Sequence, residues 1–267
     1  MTQMSGARFL AEALEAHGVT HIFMVPAVLR ATMAAMERHT RIERVHTHGE
    51  KPAAYMADGY ARASGRPGVC MAQLVGAHNL AAGLRDAWLA HAPVLAFTGG
   101  PTPHYRYRGV YQAVEDMPAF DPVTKWNATV EDVSRFPDML RQAFREATSG
   151  CPGPVHLRFQ GTEGEIDAET ADLEVVVEER YARVPAHRPE PEAQSMLGAL
   201  ECIASAERPV IVAGGGVRAS GGAAALVRFA EAAGVPVATS LTAKDCMPGL
   251  HPLNAGVPGT YSRKSAN

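Results

Sequence analysis

The 267-residue chain has no run of basic residues, no paired-cysteine motif and no apolar stretch approaching a membrane span. Each absence excludes something. Without a basic patch, and with a formal net charge of −3, there is no electrostatic footprint for nucleic acid or for an anionic membrane surface. The four cysteines, Cys70, Cys151, Cys202 and Cys246, lie far apart and form no CxxC, so neither a zinc site nor a disulfide framework is expected. Reduced thiols in a cytoplasmic protein are the simplest reading. The first residues show no basic-then-apolar signal pattern. No internal repeat or low-complexity segment interrupts the chain. What remains is an ordinary folded composition, 46% hydrophobic and 20% charged, at a length comfortable for two domains.

Apolar periodicity then sets the fold class. A helix is expected over about 5–17, closed by Gly18, and a short strand over 19–25, closed by Pro26. A helix over 27–39 and a strand over 42–46 follow. Pro52 suits a first helical turn, where its missing N–H costs nothing, and Gly65 suits the C-terminal stop of that helix. A strand over 69–75, a helix over 79–90 and a strand over 93–98 continue the rhythm. This strand–helix alternation predicts an α/β fold with a parallel sheet flanked by helices. The pattern breaks at Gly99-Gly100-Pro101-Thr102-Pro103 and resumes with a strand near 123–130, a helix over 137–148 and a strand over 154–159. The first domain is expected to span 1–165, followed by an acidic, proline-containing linker over 166–192. The start of a second Rossmann-like α/β domain, 193–267, has a helix near 193–206, a strand at 209–213, the turn Gly214-Gly215-Gly216, a helix near 222–233 and a strand at 235–240.

Glu50 stands at the turn between a strand and the Pro52 helix, where α/β proteins place their ligands. A carboxylate there also favours the helix macrodipole, and that alone would account for it. The surrounding residues add a second reading. The run Glu50 to Gly59-Tyr60-Ala61-Arg62-Ala63-Ser64-Gly65 and Gly68-Val69-Cys70 resembles the pyrimidine-binding domain of thiamine diphosphate enzymes of the acetolactate synthase and 2-hydroxyacyl-CoA lyase group. In that group a Glu lies nine residues before the Gly of Gly-Tyr-Ala-Arg, as Glu50 does here.

The resemblance implies an enzyme that breaks or makes the C–C bond beside a carbonyl, as a lyase, decarboxylase or carboligase. Its substrate would be a 2-keto acid or a 2-hydroxyacyl- or oxalyl-CoA. It implies that Glu50 is catalytic and hydrogen-bonds N1′ of the cofactor's pyrimidine, with Pro26, Gly76 and Asn79 beside the cofactor. Thr98-Gly99 and Tyr111-Gln112 keep the family's spacing of Thr-Gly and Phe-Gln, which puts Gln112 and Tyr111 on the substrate side. In isolation Gln112 reads as a loop amide. His48, His78, Ala27 and Val28 flank the same motif positions. His46, His48 and His78 lack regular metal-ligand spacing, so no metal site is expected in this chain.

Three departures fall on that side. Gly49 precedes Glu50 where the group has His, Leu74-Val75-Gly76 replaces Ser-Gly-Pro-Gly, and Pro26-Ala27-Val28 replaces Pro-Gly-Gly. His104, Arg106 and Arg108 offer either coenzyme A phosphate contacts or a solvated loop. Arg208 to Gly216 resembles the opening of the family's central domain, which carries FAD in some members, ADP or part of coenzyme A in others, and nothing in several. A nicotinamide site is a weaker reading of the Gly214 turn, which lacks GxGxxG spacing. The Gly-Asp-Gly…Asn signature of the diphosphate- and Mg²⁺-binding domain does not occur. The chain is therefore expected to be the N-terminal half of a homodimeric or homotetrameric enzyme whose Mg²⁺ ligands lie elsewhere, with a non-catalytic subunit as the alternative.

Overall fold

A computed structural model describes residues 2–105, 107–260, 262 and 264–266. The chain forms two compact units, Met1–His187 and Arg188–Asn267.

The first unit opens with β1 (Thr2–Ser5) and α1 (Gly6–Ala16), the Ser5 side chain accepting from Arg8 N–H as the N-cap. There follow β2 (His21–Met24), α2 (Arg30–His39), β3 (Glu43–His46), α3 (Glu50–Ser64), β4 (Gly68–Ala72), α4 (Ala77–Leu89) and β5 (Val94–Gly100). A long loop with the short α5 (Met117–Phe120) leads to β6 (Trp126–Val130), α6 (Phe136–Thr148), β7 (Val155–Gln160) and β8 (Thr170–Leu173). Six strands pair in the order β3-β2-β4-β5-β7-β6, every pairing parallel.

Strand side chains alternate between two apolar layers, as the pleat requires. Ile22, Met24, Val69, Met71, Leu95 and Phe97 pack with α1, α2 and α6, whereas Phe23, Cys70, Ala72, Val94 and Ala96 pack under α3 and α4. The second layer is thin because its helices are rich in alanine. A Cβ on Gly83 of α4 would lie 2.7 Å from both Ala54 Cβ and the Lys51 carbonyl oxygen, and one on Gly68 would lie 2.1 Å from the Ala57 carbonyl oxygen. These glycines let α3 rest directly on β4 and α4. Arg62 reinforces the contact, forking onto buried Asp58 one turn back and reaching the Asp86 carbonyl oxygen on α4.

Several expected boundaries move. The helix expected from residue 27 starts at Arg30, because Ala27 (φ 82°) and Leu29 (φ 44°) turn through the left-handed region first. The strand expected through Val75 ends at Ala72; Leu74–Gly76 forms a 3-10 turn, and α4 starts at Ala77. The acidic stretch expected as a linker holds folded structure into the 3-10 turn Glu179–Ala182, and Glu178 pairs with Arg145 of α6. Thr2–Ser5 pairs antiparallel with Thr170–Leu173, and Ile166, Asp167 and Leu173 are buried. Asp167 is held by α2: its Oδ2 accepts from Thr32 N–H at 2.8 Å and from Thr32 Oγ1 at 2.7 Å, capping a helix that has no local cap.

The second unit contains α7 (Ala193–Ser205), β9 (Ile211–Ala213), α8 (Gly215–Ala219), α9 (Ala223–Ala233), β10 (Val237–Thr239) and β11 (Asn254–Gly256). Its parallel sheet has the order β11-β10-β9, with Ala213, Ala230, Val237 and Met247 at its core. Gly214 precedes the five-residue α8, so the glycine run makes a strand-to-helix turn.

Candidate active site

The connections leaving β2 and β4, which are neighbours, run in opposite directions: β2 leads outward to β3, and β4 leads to β5 on the other side. Ligands of open α/β sheets bind at such a switch point, beyond the carboxyl ends of the strands. The segments that leave the sheet there are Pro26 to Leu29 after β2 and Gln73 to Gly76 after β4.

Glu50 is the first residue of α3, held by the turn that follows β3. Thr47 Oγ1 donates to the Gly49 carbonyl oxygen at 2.7 Å, and Thr47 N–H donates to the Met24 carbonyl oxygen of β2 at 2.9 Å. The half-buried Glu50 side chain lies across the start of α4. Its Oε2 accepts from Asn79 Nδ2 at 3.3 Å. Its other oxygen rests on Gly76, where a Cβ would stand 2.5 Å from Oε1 and 2.6 Å from Cδ. Gly76 has an ordinary helical φ of −88°, so space, not backbone freedom, requires glycine. Among the described residues no group donates to Oε1. The structure thus brings together Glu50, Gly76 and Asn79, and leaves the carboxylate one open acceptor.

Gln112 belongs to the long loop after β5, at φ 61° and half-buried. Its Oε1 accepts from Gln73 Nε2 at 2.7 Å. Gln73 Nε2 also lies 3.5 Å from Glu163 Oε1, and Glu163 is paired to Arg30 at 2.7 Å. Gln73, Glu163 and Arg30 were not legible as site residues: Gln73 reads as part of an apolar strand, and Glu163 as one acid at the end of the first domain. Tyr111 is 83% exposed. His46, His48 and His78 are exposed, and among the described residues no group of three or more His, Cys, Asp or Glu is placed to hold a metal ion. Pro26 is exposed, Ala27 half-buried and Val28 buried. His104 and Arg108 are exposed, and Arg106 lies outside the described residues.

The loop is fixed at its far end by Arg158 on β7. Buried Arg158 donates to Asp116 at 2.8 Å and to Glu115 at 2.9 Å. Burial raises the Asp116 pKa, and the Arg158 partnership opposes that only in part. Next to Arg158 on the strand, His156 stacks on Phe120 with ring centroids 3.5 Å apart. Asn127 uses its amide nitrogen on the Met117 carbonyl oxygen and Asp121, so its Oδ1 must accept from His156 Nδ1–H. His156 Nε2 then accepts from Thr98 Oγ1 at 2.7 Å. The ring is satisfied as neutral imidazole, and burial pushes its pKa well below the usual histidine value.

Residues 4–119 match the family described as thiamine pyrophosphate enzyme, N-terminal TPP binding domain, and residues 197–267 match the central domain of the same enzymes. The chain belongs to the thiamine diphosphate enzymes. It is 36% identical to a probable acetolactate synthase large subunit of Methanocaldococcus jannaschii, across 99% of this chain and 45% of that protein. It is 34% identical to a glyoxylate carboligase of Escherichia coli O157:H7, across 97% of this chain and 43% of that protein. With the acetolactate synthase isozyme 1 large subunit of Escherichia coli K12 the identity is 32%, across 99% and 46%. The chain spans about half the length of the curated relatives it matches. Thiamine diphosphate is the family's cofactor, and the Gly214 turn lies within the central-domain match. Among the described residues no helix is long and apolar enough to cross a membrane.

Proposed function

We propose that the complete protein is a thiamine diphosphate-dependent carboligase or lyase acting on a 2-keto acid, with Glu50 as its proton-exchanging carboxylate. One observation carries this reading: the Glu50 carboxylate is held on one oxygen by Asn79, backed by Gly76 and open on the other oxygen. A ring nitrogen that can accept or donate a proton fits that open oxygen, and a side chain at 76 would close it. When bound, the cofactor supplies a carbanion equivalent beside a carbonyl, which no side chain supplies. The chain's own residues would do the rest. Glu50 holds and exchanges a proton at the pyrimidine N1′. Asn79 fixes its rotamer, and Pro26 and Gly76 border the crevice at the switch point.

On the substrate side stand Gln112 and, on the same segments, Ala27, Val28, His48, His78 and Tyr111. Relatives named for acetolactate synthesis and glyoxylate carboligation favour a free keto acid over a coenzyme A thioester. Mg²⁺ and the cofactor's diphosphate would be held by a further segment or subunit, in at least a homodimer. The second unit would carry FAD, ADP, part of coenzyme A or nothing.

The test is Glu50→Gln in the full-length protein. The amide keeps size and hydrogen bonding but cannot exchange a proton, so exchange of the cofactor's C2–H should slow by about 10²–10⁴-fold. A role confined to the helix dipole predicts near-normal exchange and a stability loss of roughly 0.3–1 kcal/mol. Deuterium exchange by NMR, beside thermal unfolding, separates the two.

A further inference from the structure

We propose that Gln73 is a positioning residue that sets which face of the Gln112 amide meets the substrate, and that the face presented is the donor NH₂. This rests on the reading that Gln112 stands on the substrate side. The argument begins at Arg30, which pairs with Glu163 through Nε to Oε2 at 2.7 Å and through Nη2 to Oε1 at 2.8 Å. Both side-chain oxygens of Glu163 meet that guanidinium, and its backbone is tied down by Leu29 N–H donating to its carbonyl oxygen at 2.6 Å. A carboxylate only accepts. The end of the Gln73 amide that faces it, 3.5 Å away, is therefore the NH₂ group.

The same NH₂ has a second hydrogen, and it goes to Gln112 at 2.7 Å. Gln112 must offer oxygen there, so its own NH₂ is turned the other way. No acceptor meets that NH₂ among the described residues. Gln112 sits at φ 61°, where a residue with a Cβ is strained, so its backbone too is held by its surroundings. Two N–H donors fixed at a switch-point crevice suit the carboxylate or carbonyl oxygen of a 2-keto acid. They would repel a cationic or donor-only group in the same place. Gln73 thus acts by fixing polarity, not by touching substrate.

The experiment uses the full-length holoenzyme with pyruvate and glyoxylate as probes, and measures KM, kcat and the Kd for thiamine diphosphate by fluorescence quenching. Gln73→Glu turns the donor into an acceptor and should flip the Gln112 amide, raising KM about tenfold or more, one charge-assisted hydrogen bond's worth. Gln73→Leu removes the partner and should raise KM less. Gln73→Lys keeps a donor between Glu163 and Gln112 and should hold KM within about threefold of wild type. Cofactor Kd should be the same in all three. In a Gln112→Ala background, Gln73→Leu should have no further effect. The proposal is overturned if Gln112→Ala raises KM while Gln73→Glu does not. It is overturned equally if Gln73→Lys loses as much as Gln73→Glu, or if cofactor Kd moves in step with KM. Unchanged kinetics in Gln112→Ala would instead remove Gln112 from the substrate side, and the proposal with it.

Discussion

At the scale of single residues, the site depends on an absence of atoms as much as on a carboxylate. The Glu50 side chain occupies the space a Cβ at position 76 would need. Gly76→Ala should therefore displace Glu50 without straining the backbone. We expect the full-length protein to unfold at nearly the wild-type temperature while C2–H exchange falls by about 10²-fold or more, approaching the loss in Glu50→Gln. Wild-type exchange in Gly76→Ala would show that Glu50 has room to move and that the contact is incidental. Asn79→Ala, which frees the rotamer without a clash, should give a smaller loss. Glu50 could be picked out in the sequence because a motif spacing carried it, and Gly76 and Asn79 because the family resemblance pointed to them. Gln73 could not. Its neighbours Val69 to Val75 read as one apolar strand, and the 3-10 turn that ends the strand at Ala72 leaves no compositional mark. His156 and Arg158 were hidden for a related reason: they alternate with Val155, Leu157 and Phe159 on a strand buried on both faces, where polar residues normally mean solvent.

At the scale of elements, α2 is the helix whose start the sequence misplaced. Helix signals begin at Ala27, but Ala27 and Leu29 adopt left-handed φ values that only glycine or asparagine would have announced. The helix is then capped by a residue 135 positions away, Asp167, so no local pattern could mark its start. Asp167→Ala should cost roughly 1–2 kcal/mol, the usual worth of an N-cap, read as a lowered urea midpoint with unchanged slope. Loss of more than that would show that Asp167 holds the 165–173 segment as well as the helix. By contrast, α3 was legible almost to the residue, since Glu50, Pro52 and Gly65 are all local signals. Gly65 ends the helix at φ 69°, its N–H bonded to the Ala61 carbonyl oxygen.

At the scale of the whole molecule, two buried histidines tie stability to pH. His156 and His17 both have folded pKa values lowered from 6.5 by burial; His17 stacks on Phe144 and bonds the Ala13 carbonyl oxygen. Unfolding exposes rings that bind protons more readily than the folded state does. Their contribution is therefore complete above pH 6.5 and is lost as pH falls below it toward the folded values. Each such proton steepens the dependence of unfolding free energy by up to about 1.4 kcal/mol per pH unit. Asp116 and Asp167, raised from 3.8, act with the opposite sign, favouring the fold in acid and losing that contribution as pH rises through their folded values. Urea midpoints of the wild type should fall between pH 7 and pH 5.5, and His156→Gln should flatten that fall. An equal slope in the variant would mean that His156 takes up no proton on unfolding. The layered α/β plan of both units was legible because short apolar runs alternate with helix-forming segments along the chain. The β1–β8 pair was not, since Thr2-Gln3-Met4-Ser5 and its partner are too short and polar to show a period.

That pair also sets a clock. The strand Thr2–Ser5 finds its partner only at Thr170–Leu173. At about 5–20 residues per second of synthesis, roughly 8 to 35 seconds pass before the partner exists. Through that interval the ribosome holds a nascent chain that carries an unpaired strand, beside an α1 whose first N–H groups include Gly6, later bonded to the Glu169 carbonyl oxygen. A fragment cut at residue 165 would keep the whole six-stranded sheet and remain in that unfinished state permanently, as a chain still waiting on the ribosome.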